Sequence, residues 1–547
     1  PTPEPELMAV HLRGAGEHAR AAEFVQLAAE RAADALAFDR AAGLYRLALE
    51  LHGGSAEDAR LLRIKLGDSL ANAGRGPEAA EAYLAAIPGA TAGDALDLRR
   101  RAAQELLRSG HIGEGMQTIG DVLAVIGMKL PPTRIGAMLS LGWQRLRIAR
   151  RGLVFEERDE SQVAPEVLRR IDAAYAVTAG LAMVDAIRGA GFQAQQLLLA
   201  LDAGEPHRVM RAIAAEAVFV ALPGVSAARK SADVLARVES LAQRLDTPMA
   251  HAQAAGTAGI IAHFEGRFRA SIEPLERAEQ LFRDRCTGLS WERSTAQIFH
   301  LYSLSMLGRL RALTTRLDQL FAEARARGDL HSQTNLAVTV GFQCRLAEDR
   351  SDEARRSVEE ALRRWNVPDE FHIQHFNALI AEICIDLYNG EPEAAWNRCA
   401  AIERFKKVGL MRVQTARVNA LWARGGTALA CARRRPEMLA HAEREAARLS
   451  HEGVGWASAI AALLRSGIAS TRGQADVALK RLAEAQQLFE ETALGGQLAA
   501  TRMIRGRLVG GDAGAELLGK ARAFFDAEGV VSPDRFTAFF APGFADG

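Results

Sequence analysis

Apolar side chains recur along this chain at spacings of three and four residues, the period that places them on one face of an α-helix. Around residue 75 the regular positions are Leu66, Gly67, Leu70, Ala79, Tyr83 and Ala86. Gly74 lies between the two halves of this pattern, and glycine suits a helix end because it adopts left-handed backbone angles without strain. The spacing therefore predicts two helices joined by a turn at Gly74, with small residues where the helices cross.

The same arrangement recurs along the chain, which indicates an array of helix pairs. In the neighbouring pairs the matching positions are Ala29, Ala41, Tyr45 and Ala48 before, and Ala103, Leu106, Gly110, Gly115, Ile119 and Val122 after. A turn glycine with a small residue five positions later returns at Gly266, Gly390 and Gly473. Two antiparallel helices in about 34 residues are typical of a tetratricopeptide repeat. The sequence predicts an all-α fold, a tetratricopeptide-like α-solenoid of antiparallel helix pairs.

One stretch, residues 127–165, interrupts this rhythm. Pro131 and Pro132 end a helix, because proline cannot continue one. Residues Arg134–Arg151 then have the spacing of a basic amphipathic helix, and a charged loop follows. We predict three parts: N-terminal repeats over 1–128, a joint over 129–165 and the main array over 166–547. The basic helix suits an anionic membrane or an acidic partner, and the alternative is that it forms a solvated outer face of the array.

Composition narrows the class of protein. The chain has 547 residues, of which 49% are hydrophobic and 25% charged, so it folds. The 68 Lys and Arg residues balance 67 Asp and Glu residues, so charge gives no reason to expect nucleic acid as a partner. Apolar runs are too short to cross a bilayer. Five cysteines without a CxxC pair indicate reduced thiols and a cytoplasmic protein, and the proline-rich start indicates a linker within a longer protein.

No catalytic motif is complete in this sequence. Residues 224–231 resemble a phosphate-binding loop but have Arg229 where that loop needs glycine. His372 and His375 are one helical turn apart, as in zinc sites, but no third ligand stands at motif spacing. No Gly-x-Ser-x-Gly or Cys-His motif occurs. We therefore predict no catalytic residue, no metal and no cofactor for this chain.

Candidate binding residues follow from the repeat frame. In tetratricopeptide arrays the first helix of each pair lines the concave face, where aromatic and amide groups suit recognition of a peptide or a small molecule. The alternative for each residue is packing between repeats. The frame places Gln253, His263, Tyr302 and Gln343 on that face. Large side chains nearby are Trp291, His300 and Phe376, and His375 completes the set of candidates.

Distinctive short segments are spread over most of the chain: 168–172, 191–193, 201–206, 282–288, 291–292, 386–390, 533–535 and 541–544. In these segments the chain resembles the C-terminal region of bacterial serine/threonine kinases fused to a STAND-type (signal-transducing, AAA-related) ATPase. The resemblance implies an upstream kinase domain, a nucleotide-binding oligomerisation domain and a tetratricopeptide sensor. It assigns any kinase or ATPase activity to the upstream domains, since their motifs are not present here.

Three functional hypotheses follow. The first is a regulatory sensor that binds a protein, peptide or small-molecule effector and controls an upstream STAND ATPase or kinase in cis. The second is a free-standing scaffold for protein–protein interaction. The third is an enzyme whose site is assembled from distant residues on a helical scaffold. We expect the chain itself to have no enzymatic activity, no nucleic-acid partner and no membrane-inserted segment.

Overall fold

The computed structural model describes residues 4–181, 185–365, 372–407 and 409–544, and within these ranges it is α-helical without a β-strand. Antiparallel helix pairs begin the array. Gly67 and Ala79 both lie at a helix crossing, and a Cβ atom at Gly67 would come within 2.6 Å of the Tyr83 ring. The helices are α1 (Pro5–Gly14), α2 (His18–Asp34), α3 (Phe38–Leu51), α4 (Ala56–Asn72), α5 (Gly76–Ala85), α6 (Ala92–Arg108) and α7 (Ile112–Val125).

The middle of the chain contains the basic helix and the next four pairs. The bounds of α8 are those that the sequence predicts. Residues 224–227 form a short 3-10 turn before α12 rather than a phosphate-binding loop after a strand. The helices are α8 (Arg134–Arg151), α9 (Pro165–Leu181), α10 (Ala186–Ala203), α11 (Pro206–Ala221), α12 (Ala228–Leu245), α13 (Pro248–Phe264), α14 (Phe268–Arg285), α15 (Ser290–Met306) and α16 (Leu310–Ala326).

The C-terminal part departs from regular pairs at two points. A π-helical segment, Leu336–Gly341, joins α17 to α18, and two short helices replace the second member of the pair after α20. The helices are α17 (Leu330–Asn335), α18 (Phe342–Ala347), α19 (Ser351–Trp365), α20 (Ile373–Tyr388), α21 (Pro392–Cys399), α22 (Ile402–Lys407), α23 (Gln414–Cys431), α24 (Met438–Ser450), α25 (Gly455–Thr471), α26 (Ala475–Thr492), α27 (Gly495–Val509), α28 (Gly511–Glu528) and α29 (Pro533–Phe540).

Glycines in the left-handed region end the first helix of several pairs. Gly74 has a φ of +76°, and the next amide, of Arg75, donates to the carbonyl of Leu70 at 2.8 Å. Gly266 repeats this geometry, with the amide of Arg267 donating to Ala262 at 2.8 Å. These bonds satisfy carbonyls that a helix end would otherwise leave open. The turn glycines that the sequence predicts therefore have their expected structural role.

The helices on the two sides of segment 129–165 pack directly on each other. Helix α6 contacts α9, and a Cβ atom at Gly180 would come within 2.6 Å of Leu107. One buried cluster joins Leu107 and Ile119 to Ala173 and Phe192. The array thus continues from α7 to α9, and α8 is an addition that rests on α10.

Successive coils of the superhelix also contact each other, which the repeat pattern does not predict. Hydrogen bonds cross between residues far apart in sequence, for example from the Ser290 hydroxyl to the Ala71 carbonyl at 3.1 Å, a separation of 219 residues. Similar bonds join Val225 to Gln414, 189 residues apart. The turns of one coil therefore lie against the helices of the next.

Candidate ligand-binding cavity

A cavity of about 340 Å³ lies between helices of the N-terminal half of the chain. Its wall comes from the first helices of four successive pairs, α6, α9, α11 and α13, with one residue from the turn before α15. The lining residues are Arg100, Gln104, Asp172, His207, Arg208, Arg211, Met249, Gln253 and Leu289.

Asp172 organises two of the arginines. Its carboxylate accepts hydrogen bonds from Arg211 at 2.5 Å and from Arg208 at 3.0 Å. Burial alone would raise the pKa of Asp172, but the positive charges of Arg211 and Arg100 outweigh it and hold that pKa below its usual value. Glu205 caps the N-terminus of α11 and accepts a further bond from Arg208 at 3.0 Å. Both guanidinium groups are therefore held in fixed positions.

The third arginine is fixed from its own helix. Arg100 donates to Asp97 at 2.8 Å and to the side-chain oxygen of Gln104 at 3.1 Å. Asp97 also pairs with Arg101 at 2.7 Å, outside the cavity lining. Three guanidinium groups thus line the cavity beside a single carboxylate, Asp172. An arginine presents five N–H donors in a planar fork that matches carboxylate and phosphate oxygens, so this wall is suited to an anionic ligand.

Arg211 connects the cavity to a buried polar network. Its guanidinium carbon lies 4.0 Å from the centre of the Tyr175 ring, in cation–π geometry, and its buried Nε has no hydrogen-bond partner among the described residues. The Tyr175 hydroxyl donates to Glu292 at the start of α15. Glu292 also accepts from Arg108 at 3.2 Å, across 184 residues of sequence. The network therefore runs from the cavity to a contact between successive coils.

That contact contains a second buried acid. A carboxylate oxygen of Glu105 lies 3.8 Å from a guanidinium nitrogen of Arg108. Burial raises the pKa of Glu105 to about 7, although the positive charge of Arg108 acts to lower that pKa. The negative charge of Glu292 adds to the increase. We call the set Glu105, Arg108, Tyr175 and Glu292 the coil clamp. It unites α6, α9 and α15 in one charged cluster.

Two of the predicted binding residues lie at these features. Gln253 lines the cavity. Trp291 lies beside the coil clamp, with its ring centre 5.6 Å from the guanidinium carbon of Arg108. The other six lie elsewhere, so the structure does not bring the eight together into one site.

A second pair of predicted residues belongs to a buried aromatic cluster. The Nδ1 atom of His263 lies 2.8 Å from the Ser303 hydroxyl, and burial lowers the pKa of His263 to about 3, so the ring stays neutral. The Tyr302 ring packs on His263 with centres 4.8 Å apart, and its hydroxyl accepts from Asn419 at 3.0 Å. These two side chains pack between repeats, which is the alternative that the sequence left open.

The remaining four are also held by neighbours. Phe376 is buried against Phe405, and Gln343 accepts from the Ser305 hydroxyl at 2.6 Å. His300 is buried, with Nε2 3.2 Å from a carboxylate oxygen of Glu276. His375 accepts from the backbone amide of His372 at 3.3 Å at the start of α20. Their interactions stabilise helix packing and a helix end.

The described residues contain no cluster of three or more His, Cys, Asp or Glu side chains placed to hold a metal ion. His372 receives a hydrogen bond from the Trp365 indole at 3.1 Å. Nor does any described helix combine the length and apolar character needed to span a bilayer.

Known proteins identify no family for this chain. No protein-family model matches the chain, and the curated proteins searched contain no match. Among solved structures, one titled "Structure of Naa15/Naa10 bound to HypK-THB" aligns with 95% of this chain and 93% of its own, at 11% identity and a TM-score of 0.25. Such a score is too low to support an argument about topology or function.

Proposed function

We propose that this chain is a helical-repeat sensor that binds an anionic small molecule, carrying carboxylate or phosphate groups, in the cavity between α6, α9, α11 and α13. The observation that carries the proposal is that three arginines, Arg100, Arg208 and Arg211, line this cavity, and that Asp172 is the one carboxylate among its described lining residues. The cavity volume falls at the lower end of the range for small-molecule sites.

Asp172 acts as an internal counter-ion while the cavity is empty. It orients Arg208 and Arg211, so their donors are organised before a ligand arrives. Such preorganisation lowers the entropy cost of binding. A ligand anion would share these donors with Asp172.

Ligand binding would be transmitted through the coil clamp. A ligand that draws Arg211 toward the cavity changes its contact with Tyr175, and Tyr175 shares Glu292 with Arg108. An anion therefore biases the contact between coils if it favours one arrangement of this network over another. The resemblance to kinase–STAND proteins implies that ATPase and kinase domains lie upstream in cis. We propose that the change in the contact between coils regulates these domains. Those domains are also the protein partners that we propose.

The test is a thermal-shift series with inorganic phosphate, pyrophosphate and citrate, and with glycerol as an uncharged control. A ligand that binds only the folded state raises the melting temperature with concentration. We expect at least one polyanion to raise it in the wild-type protein, and the shift to disappear in Arg100→Gln and Arg211→Gln variants. No shift with any of the anions, or equal shifts in the variants, would refute the proposal.

A matched control is available on α9. Arg169 pairs with Glu166 three residues earlier at 2.9 Å, as Arg100 pairs with Asp97, but Arg169 does not line the cavity. Arg169→Gln therefore removes an equivalent helical ion pair and leaves the cavity intact. We expect this variant to keep the full anion-dependent shift.

A further inference from the structure

Helix α8 is apolar on two opposite faces. The buried face contains Ala137, Leu141 and Ile148, and α8 packs on α10. The other face is exposed, although apolar. Leu139 is 71% exposed and Trp143 is 58% exposed. The full exposed set, which we call the α8 ridge, is Ile135, Met138, Leu139, Trp143 and Leu146.

The α8 ridge is a continuous stripe rather than a scatter of single residues. At 3.6 residues per turn, Ile135, Leu139 and Leu146 fall on one line along the helix, with Met138 and Trp143 on either side. The stripe runs for about 17 Å at the helical rise per residue. An exposed apolar stripe of this kind marks an interaction surface, whereas scattered exposed apolar residues need no explanation.

Basic residues border the ridge. Arg134 and Arg147 fall on its two edges and Arg150 at its C-terminal end, and all three are exposed. The helix contains no Asp or Glu. The other two arginines of the helix form ion pairs with the rest of the chain. Arg145 pairs with Glu216 at 2.6 Å, and Arg151 pairs with Asp202 at 2.8 Å.

The charge and the shape of the α8 ridge indicate which kind of partner binds it. A second copy of α8 packed antiparallel on the first would bring arginines against arginines, with no carboxylate from either helix to neutralise them. A partner helix usually lies in a groove, but α8 stands on α10 as a single ridge. A convex helix with Trp and Leu on its outer face and arginines at its borders has the features of a helix that lies in a membrane interface.

We propose that the α8 ridge docks the protein on the surface of an anionic membrane, with Leu139 and Trp143 entering the headgroup–acyl boundary and Arg134, Arg147 and Arg150 contacting lipid phosphates. This is peripheral binding by one helix that lies flat, and it does not depend on the arginine cavity. Each arginine near an anionic surface strengthens the attraction, which salt weakens.

The test is co-sedimentation of the full chain with vesicles. We expect binding to mixed phosphatidylserine–phosphatidylcholine vesicles that is roughly tenfold stronger than binding to phosphatidylcholine alone and that falls with added salt. A Leu139→Glu/Trp143→Glu double variant should lose at least about tenfold in binding, because charge replaces two exposed apolar residues of the ridge. Arg147→Glu/Arg150→Glu should lose a similar factor on anionic vesicles only.

Two controls separate docking from misfolding. Leu61 on α4 is an exposed leucine outside the ridge, so Leu61→Glu should bind vesicles like the wild type. Unchanged circular dichroism and melting temperature in the double variants show that the fold is intact. The proposal fails if wild-type protein does not sediment with anionic vesicles, or if the ridge variants sediment as well as Leu61→Glu. A wild-type dimer that the Leu139→Glu/Trp143→Glu variant converts to monomer would assign the ridge to self-association instead.

Discussion

Replacing Glu105 by Gln should change the pH dependence of stability, because Glu105 is the buried acid of the coil clamp. Its pKa is about 7 in the folded chain and 4.5 without burial. Between these values the folded state keeps a proton that the unfolded state has lost, so the free energy of unfolding falls as pH rises from 4.5 to 7. The difference between the two pKa values corresponds to about 3 kcal/mol.

Glutamine keeps the shape of the side chain and removes the charge. We therefore expect Glu105→Gln to be more stable than the wild type at pH 8, where the buried carboxylate is ionised near Glu292, and to lose this advantage at pH 5. The assay is urea unfolding at both pH values, followed by circular dichroism. Glu114→Gln on α7 changes an exposed carboxylate and serves as the control.

The reasoning is refuted if Glu105→Gln differs from the wild type by the same free energy at pH 5 and pH 8. That result would mean that Glu105 does not change protonation between these values. A wild-type stability that rises from pH 5 to pH 7 would not by itself decide the matter, because other carboxylates contribute, so the comparison with the variant is the critical one.

Two further predictions test the repeat frame and the stacking of coils. Ala79→Phe and Ala478→Phe should each cost roughly 1–3 kcal/mol, because both alanines are buried at helix crossings, and unchanged melting temperatures for both would show that the frame is wrong. Gly308→Ala should destabilise the chain more than Gly473→Ala: both glycines have φ near +70°, but a Cβ at Gly308 would lie 2.5 Å from the Gly496 amide in the next coil, whereas the space at Gly473 is open. Equal melting temperatures for these two variants would contradict the inter-coil contact.

Local features of the fold could be predicted because they depend on residues close in sequence. The crossing of Gly67 with Tyr83 and the turn at Gly74 follow from spacing within one pair. The ends of α8 follow from Thr133, which caps the first turn, and from Gly152 after the last. These signals act within a few residues, so no knowledge of the rest of the chain was needed.

Contacts between coils could not be predicted in this way. The path of a solenoid accumulates small rotations at every pair, so the partner of Ala71 in the next coil depends on more than two hundred intervening residues. The π-helical segment at Leu336–Gly341 is a further feature that the repeat pattern does not predict. The frame could select Gln253 as an inner-face residue, but not His263 as a member of a buried cluster.

The arginines of the cavity were missed for a related reason. Arg100 and Asp97 form an i, i+3 ion pair of a kind that recurs along the chain, as in Arg169 and Glu166. Nothing in the local sequence distinguishes the pair that lines a cavity from one that does not. The sequence of α11 does contain one indication of the site, because Arg208 and Arg211 are three residues apart and share one face of the helix. The carboxylate that pairs with both, Asp172, is on another helix.

The most direct test of the central claim is a crystal structure of the full chain grown with pyrophosphate. We predict density for the anion inside the cavity, within hydrogen-bond distance of Arg100, Arg208 and Arg211, and a changed contact between Arg211 and Tyr175. An empty cavity at saturating pyrophosphate, or an anion bound only outside it, would contradict the assignment of this site as the sensor.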